Sequence, residues 1–290
     1  MIHLVTIGMK LNNDLIKNIY SSRIKLTYDN QLIKVLSRYE DEYIGFIKEI
    51  KKDNDLLIEF DIENQYKNKG YQTEILREYL RYKYLWEKEC DKIICYPINE
   101  QTKKVLLKRY FILDSDKYYI NKEIYMSHVE KLTLFDEDLN RLPYPNYRGE
   151  EIKPHTYAGI VNVIICNKRN NKYLTTKRDI NKVTSPGLWE ITGGGIDFEE
   201  KIESAIIRET KEETGLDIID YKYLSTDKMN DLVFFSYLGI VDSDPNSVVL
   251  QKGETTEYKW RTKEELIELY NTNLVPLKQA QRIKNIIDKI

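Results

Sequence analysis

Three glutamates, Glu209, Glu212 and Glu213, stand at i, i+3 and i+4 within GGGIDFEEKIESAIIRETKEETGL, which runs from Gly193 to Leu216. At 3.6 residues per helical turn all three project from one face. Like charges so placed repel by about 0.2–0.5 kcal/mol per pair unless a cation stands among them. A solvated face would intersperse lysines, whereas here Ala205, Ile206 and Ile207 fill the preceding turn. Convergent carboxylates suit a hard divalent cation, and oxygen-only ligation favours Mg²⁺ or Mn²⁺ over Zn²⁺. The triplet Gly193-Gly194-Gly195 ahead of the helix is expected to tolerate positive φ and to let phosphate oxygens approach the backbone. Gly215 suits the left-handed position that ends a helix.

Counting from Gly194, the segment reads G-x₅-E-x₇-R-E-U-x-E-E-x-G-U, with U a bulky apolar residue, and Thr210 is the one departure. This pattern resembles the Nudix box. The resemblance implies an α/β/α sandwich around a mixed sheet over residues 153–290 and Mg²⁺- or Mn²⁺-dependent attack of water on a diphosphate phosphorus. It implies that Glu212 and Glu213 bind metal, that Glu209 is a ligand or the general base, and that Arg208 orients Glu209. Glu200 would fix the loop–helix geometry or join the metal shell, and the carbonyl of Gly194 would contribute. Gly193 and Gly195 would face phosphate, and Trp189 would pack under the box. A further carboxylate from a distant loop completes some such sites, and GETTEYKW offers Glu254 and Glu257. Lys177 and Arg178 end the preceding strand, where they either clamp phosphates or are solvated charges. His155 reads as structural.

The implied substrate is a small-molecule nucleoside diphosphate linked to another moiety. The stretch TLFDEDLNRLPYPNYRGEEIKPHTYAGIVNVIICNK also resembles isopentenyl-diphosphate-isomerase-like Nudix proteins. Isomerisation needs a cysteine beside a histidine, and Cys166 falls within an expected core strand. A non-catalytic, ligand-sensing Nudix protein is the other alternative.

Upstream, a strand leads into Lys67-Asn68-Lys69-Gly70-Tyr71-Gln72-Thr73 and then an amphipathic helix. Backbone N–H groups and the positive dipole end at that helix start suit a pyrophosphate. With Asn99 and the run Lys108-Arg109-Tyr110-Phe111, this resembles the coenzyme-A-binding core of GNAT acetyltransferases over residues 1–125. The resemblance implies coenzyme A or acetyl-coenzyme A at Lys67, Lys69, Gly70, Gln72 and Thr73. Three positions depart from the family. Gln72 replaces a small residue and would crowd the phosphate, Leu106 stands where a proton-donating tyrosine is common, and Tyr110 replaces a glycine. The domain is therefore an acetyltransferase, a binding or homodimerising domain, or a strand–turn–helix unit with no ligand.

These sites need scaffolding from two domains, the usual expectation for 290 residues. The fold class is α/β (α+β): a GNAT-like mixed sheet with helices at 1–125, then a linker and an extended strand at 126–152, then the Nudix sandwich at 153–290. Periodicity predicts a strand at His3–Met9, a helix at Asn13–Tyr28 and strands at Tyr43–Ile50 and Asp55–Ile62 around the turn KKDND. It then predicts helix 71–88, strand 92–98, helix 100–109 and strand 112–124. The second domain is expected to carry strands at 158–166, 173–178, 232–241 and 257–261, with helices at 263–270 and 276–290.

A formal charge of −2 gives no global attraction to nucleic acid or to a membrane. No apolar run approaches the roughly 18–20 residues that span a bilayer, and the first residues lack a leader pattern. Cys90, Cys95 and Cys166 share no metal-ligand spacing, so packed free thiols and a cytoplasmic location are expected.

Overall fold

The computed structural model describes residues 18–20, 23–29, 31–38, 40–87, 90–180, 182 and 185–290. Chain contacts divide it into two compact units, 1–129 and 130–290. The strand expected at His3–Met9 and the start of the helix expected at Asn13–Tyr28 lie outside the described residues.

In the first unit, β1 (Asn18–Tyr20), β2 (Ile24–Asp29), β3 (Leu32–Ser37), β4 (Tyr43–Lys52) and β5 (Asp55–Ile62) form an antiparallel meander. The later part of the expected helix is thus strand. Ile24 and Leu26 are fully buried on one face, and β3 supplies the partner from Ile24↔Ser37 to Asp29↔Leu32. Helical spacing around Ile19 and Tyr20 is a local signal, and a long-range ladder overrides it. The KKDND turn is present: Lys52 pairs with Asp55, and Asp53 has φ 55°.

Helix α1 (Tyr71–Arg81) continues as a π-helical turn over Tyr82–Glu87. Within that turn Lys83 is buried between Glu49 and Glu87, 2.8 and 2.5 Å away. Strand β6 (Lys92–Cys95) runs parallel to β5, paired only from Asp55↔Lys92 to Ile58↔Cys95. Helix α2 (Glu100–Lys108), β7 (Ile112–Asp114) and β8 (Lys117–Asn121) follow. The Asn121 side chain then accepts from Ile124 N at 2.8 Å and starts α3 (Lys122–Ser127). That cap is why the strand expected to reach residue 124 stops early.

The second unit begins inside the stretch expected to be a linker. Strand β9 (Lys131–Phe135) pairs with β10 (Arg141–Tyr147) and, at its end, with β11 (Tyr157–Asn167). Pro143 and Pro145 disguise β10, yet among the described residues its only ladder partner is β9, and its register shifts between Arg141 and Pro145. Proline is tolerated on such an irregular edge, where few backbone N–H groups are needed. Strands β12 (Lys172–Arg178), β13 (Trp189–Glu190) and β14 (Thr192–Gly195) precede α4 (Ile202–Thr214). Next come β15 (Asp220–Met229), β16 (Leu232–Val241) and β17 (Thr255–Arg261), with α5 (Lys263–Tyr270) and α6 (Leu277–Lys284) last. Strand β15, absent from the sequence expectations, pairs with β16.

Strand β11 is the hub, parallel to β16 and antiparallel to β14. Val161, Val163 and Ile165 pack with Ala205 and Ile206 of α4. Ile164 points the other way, into a cluster with Leu266 and Leu269 of α5 and Ile283 of α6. Burial on both faces explains the nearly continuous apolar run of β11 and makes this unit a three-layer α/β/α sandwich. Trp189 belongs to the α5–α6 cluster, so it packs on the face away from α4 rather than under it. Cys90 and Cys95 are buried free thiols and Cys166 is half-buried. No helix among the described residues is long and apolar enough to cross a membrane.

Candidate active site

The glycine triplet is strand, not loop. Gly193, Gly194 and Gly195 pair with Asn162, Val161 and Ile160 of β11, and none has a positive φ. The tolerance for positive φ expected of the triplet is therefore not used at Gly193, Gly194 or Gly195. What the strand requires is the missing side chains. A Cβ on Gly194 would lie 2.3 Å from the Glu209 carboxyl carbon, so glycine there lets α4 press that carboxylate against the strand. Gly215 does take the left-handed conformation, φ 71°, where α4 ends.

Arg208 organises the carboxylates. Its Nε donates to Glu200 Oε1 at 2.9 Å and its Nη2 to Glu200 Oε2 at 2.8 Å. Nη2 also donates to the Gly195 carbonyl at 2.8 Å, and Nη1 to Glu209 Oε1 at 2.7 Å. A looser contact of 3.4 Å reaches Glu212 Oε2. Glu200 closes the loop from the other side by accepting from Asp197 N at 3.0 Å. Such a fork fixes geometry in a way a lysine's single ammonium cannot.

Burial shapes the charges. Glu209 is raised above its ordinary range by burial, against the opposing pull of Arg208. Glu213 is pushed up to about 8 by burial and by the charges of Glu190 and Glu209, although the Gly193 N–H bonds to it. Burial also pushes on Glu200, but hydrogen bonds from Arg208 and the Asp197 N–H outweigh it and hold that carboxyl low. Among the described residues no three acidic, His or Cys side chains stand together as a finished metal-ligand set. Arg208 draws Glu200 and Glu209 to itself. Glu213, by contrast, is a carboxylate whose charge the protein compensates poorly. Oxygen donors of that kind, with half-exposed Glu212 beside them, fit Mg²⁺ or Mn²⁺.

Of the distal candidates, Glu254 acts electrostatically on both Glu213 and Glu190. It pairs with Lys182. Glu257 instead pairs with Lys177 at 3.2 Å on a more exposed surface. Arg178 is not a solvated charge: its Nη1 meets both Glu190 oxygens, at 2.9 and 2.7 Å, in a mostly buried pair. Thr210 is fully buried with its hydroxyl unpartnered, so a Val-shaped side chain fills the apolar position of the motif at some polar cost. His155, exposed at φ 63°, bonds Glu137 at 2.7 Å.

Sequence reasoning missed Asp197, whose N–H meets Glu200, Glu190, which pairs with Arg178, Arg141, which donates to the Glu200 carbonyl, and the Glu130–Arg148 pair. Glu130 flanks β9 and Arg148 follows β10, so both were hidden in the supposed linker. Glu190 showed only as the neighbour of Trp189. Their positions follow from pairing, which no local pattern carries.

In the first unit, Gly70 caps α1 at φ 82°. Arg23 stands over this helix start. Its Nη1 donates to the Lys69 carbonyl at 3.1 Å, and its guanidinium lies 4.2 Å from the centre of the Tyr71 ring. Lys67 Nζ is 3.8 Å from Asp61. Gln72 is buried, so it does not crowd the turn as expected, and Thr73 is half-buried. Asn99 caps α2 by accepting from Thr102 N at 2.8 Å, Leu106 is buried, and Tyr110 adopts φ 66° stacked on His128.

A three-layer sandwich with an Arg-organised carboxylate helix against a glycine strand defines a class of protein, and comparison agrees. The NUDIX domain family model matches residues 156–286. A nucleoside triphosphatase NudI from Salmonella schwarzengrund is 30% identical over 125 residues, 38% of this chain and 88% of that protein. An 8-oxo-dGTP diphosphatase from Proteus vulgaris is 36% identical over 74 residues, 26% of this chain and 61% of that protein. The chain thus spans less than two thirds of that second relative. A crystal structure from Deinococcus radiodurans aligns at 18% identity and TM-score 0.44, covering 54% of this chain and 99% of that one. The chain belongs to the Nudix hydrolase family. The matched residues lie within the second unit.

Proposed function

We propose that the second unit hydrolyses, with Mg²⁺ or Mn²⁺, the pyrophosphate bond of a nucleoside diphosphate linked to another moiety. A nucleoside triphosphate is the case in which that moiety is phosphate, as the names of the two relatives suggest. The observation that carries the reading is the Glu209 carboxylate, held by Arg208 in the space that Gly194 leaves open. Glu209, Glu212 and Glu213 with the Gly194 carbonyl would hold the ion, and Glu254 would complete the set. When bound, the ion supplies charge neutralisation at phosphorus and a lowered pKa for the attacking water. Glu209, if not itself a ligand, accepts the proton from that water, and Arg208 keeps it aimed. Phosphate release from a panel of nucleoside triphosphates, nucleoside diphosphate sugars and dinucleoside polyphosphates, with and without Mg²⁺, tests this. Mg²⁺-dependent turnover of at least one class is expected. No turnover of any class, with wild type equal to Glu212→Gln, would sink it.

For the first unit, one observation favours a ligand at the α1 start. Strands β5 and β6 pair only up to Ile58 and Cys95, so Glu59–Ile62 runs on without β6 beside it, toward the turn that opens α1. Coenzyme A or acetyl-coenzyme A is the proposed occupant, its pyrophosphate meeting the N–H groups beyond Gly70. Calorimetric titration of the full chain should show saturable binding. Undetectable heat at millimolar coenzyme A would leave this unit a structural role.

A further inference from the structure

Several cations around the carboxylate helix are already engaged by protein carboxylates or carbonyls among the described residues. Arg208 holds Glu200 and Glu209, Arg178 holds Glu190, Lys177 meets Glu257 and Lys182 meets Glu254. Arg141 donates to the Glu200 carbonyl. Yet a nucleoside polyphosphate brings more negative charge than a divalent ion at the glutamates neutralises.

Arg148 is differently placed. Its Nε and Nη2 form a fork with the two Glu130 oxygens, Nη2 at 2.7 Å from Oε1. The fork leaves Nη1 without a hydrogen bond among the described residues, on a side chain 54% exposed. The pair lies against the strand that carries the site. A Cβ on Gly195 would come within 2.8 Å of Glu130 Oε1 and 3.1 Å of Arg148 Nη2, and the residue before it, Gly194, abuts the Glu209 carboxylate. Burial works against the charge of Arg148 and Glu130 chiefly restores it, with smaller contributions from Glu209 and Asp197, so the guanidinium also lies within electrostatic reach of the site carboxylates. Two glycines in succession therefore open both sides of one strand end, one toward a carboxylate and one toward a guanidinium.

Resting on the hydrolase reading above, we propose that Arg148 is a substrate-binding residue, receiving the phosphate that the carboxylate helix does not hold, and that Glu130 is its positioning residue. Glu130 holds two of the three guanidinium nitrogens and leaves the third, Nη1, to the phosphate, so little side-chain freedom is lost when phosphate arrives. The ligand class is a diphosphate or longer chain. A monophosphate would gain from one end of the site only.

The test is calorimetric titration of inorganic pyrophosphate into the full chain with saturating Mg²⁺, beside steady-state kinetics on whichever nucleotide the panel selects. Arg148→Ala is expected to weaken pyrophosphate binding at least about 10-fold, the scale of one charge-assisted hydrogen bond. It should raise KM more than it lowers kcat, with thermal melting unchanged. Arg148→Lys should recover part of the loss, and Glu130→Gln should weaken binding less than Arg148→Ala. Pyrophosphate affinity within about twofold for wild type and Arg148→Ala, or no binding to wild type at millimolar pyrophosphate, overturns the proposal. If no nucleotide is hydrolysed but pyrophosphate binding still depends on Arg148, the hydrolase reading fails and this one stands.

Discussion

Glu209→Gln is expected to lower Mg²⁺-dependent turnover by about 10²–10⁴, the range for removing a positioned acid–base group. The substitution keeps shape and volume, so it isolates charge and basicity. Glu209 is buried against Gly194 and bonded to Arg208 at 2.7 Å, so glutamine can occupy the same space without repacking. Two readouts divide its possible roles. If Glu209 is the general base, kcat falls and the Mg²⁺ concentration for half-maximal rate stays put. If it is a ligand, that concentration rises with the loss in kcat. Turnover within about threefold of wild type would remove Glu209 from the chemistry altogether.

The second large effect concerns Arg208. Arg208→Ala should destabilise the second unit by about 3 kcal/mol, the lower end of the range for removing one partner from a buried ion pair. The size follows from what is stranded. Glu200 and Glu209, 15% and 12% exposed, lose their counter-charge together, and the Gly195 carbonyl loses a donor. The arginine itself is 26% exposed, so water replaces part of the loss, which argues for the lower end of the range. Denaturant unfolding followed through Trp189 and Trp260 of this unit would measure it. Arg208→Lys should recover charge without the fork and fall between the two. A destabilisation below about 1 kcal/mol would mean the network contributes no more than a surface pair.

The box was legible because its chemistry is local. Glu209, Glu212 and Glu213 share one face of α4 by helical pitch alone, and Gly215 ends α4 because only a residue at ease at φ 71° can. The run of β11 was legible too, since burial on both faces leaves a nearly unbroken apolar string. The conformation of the glycine triplet was not legible, for a physical reason. A glycine that permits a positive φ and one that makes room for a neighbour look the same in sequence, and only the ladder with β11 distinguishes them.

By itself, then, the sequence determined the acidic helix, the arginine within it, the two-unit organisation and the absence of any strong net charge. The tertiary structure alone decided which groups those residues meet. It turned the acidic, proline-bearing linker into β9 and β10, and so set Glu130 and Arg148 against Gly195. It also withdrew Arg178 into a pair with Glu190. The reason is common to all of these. Helical spacing is fixed within about one turn of chain, whereas strand pairing joins residues far apart through a register that no short window contains.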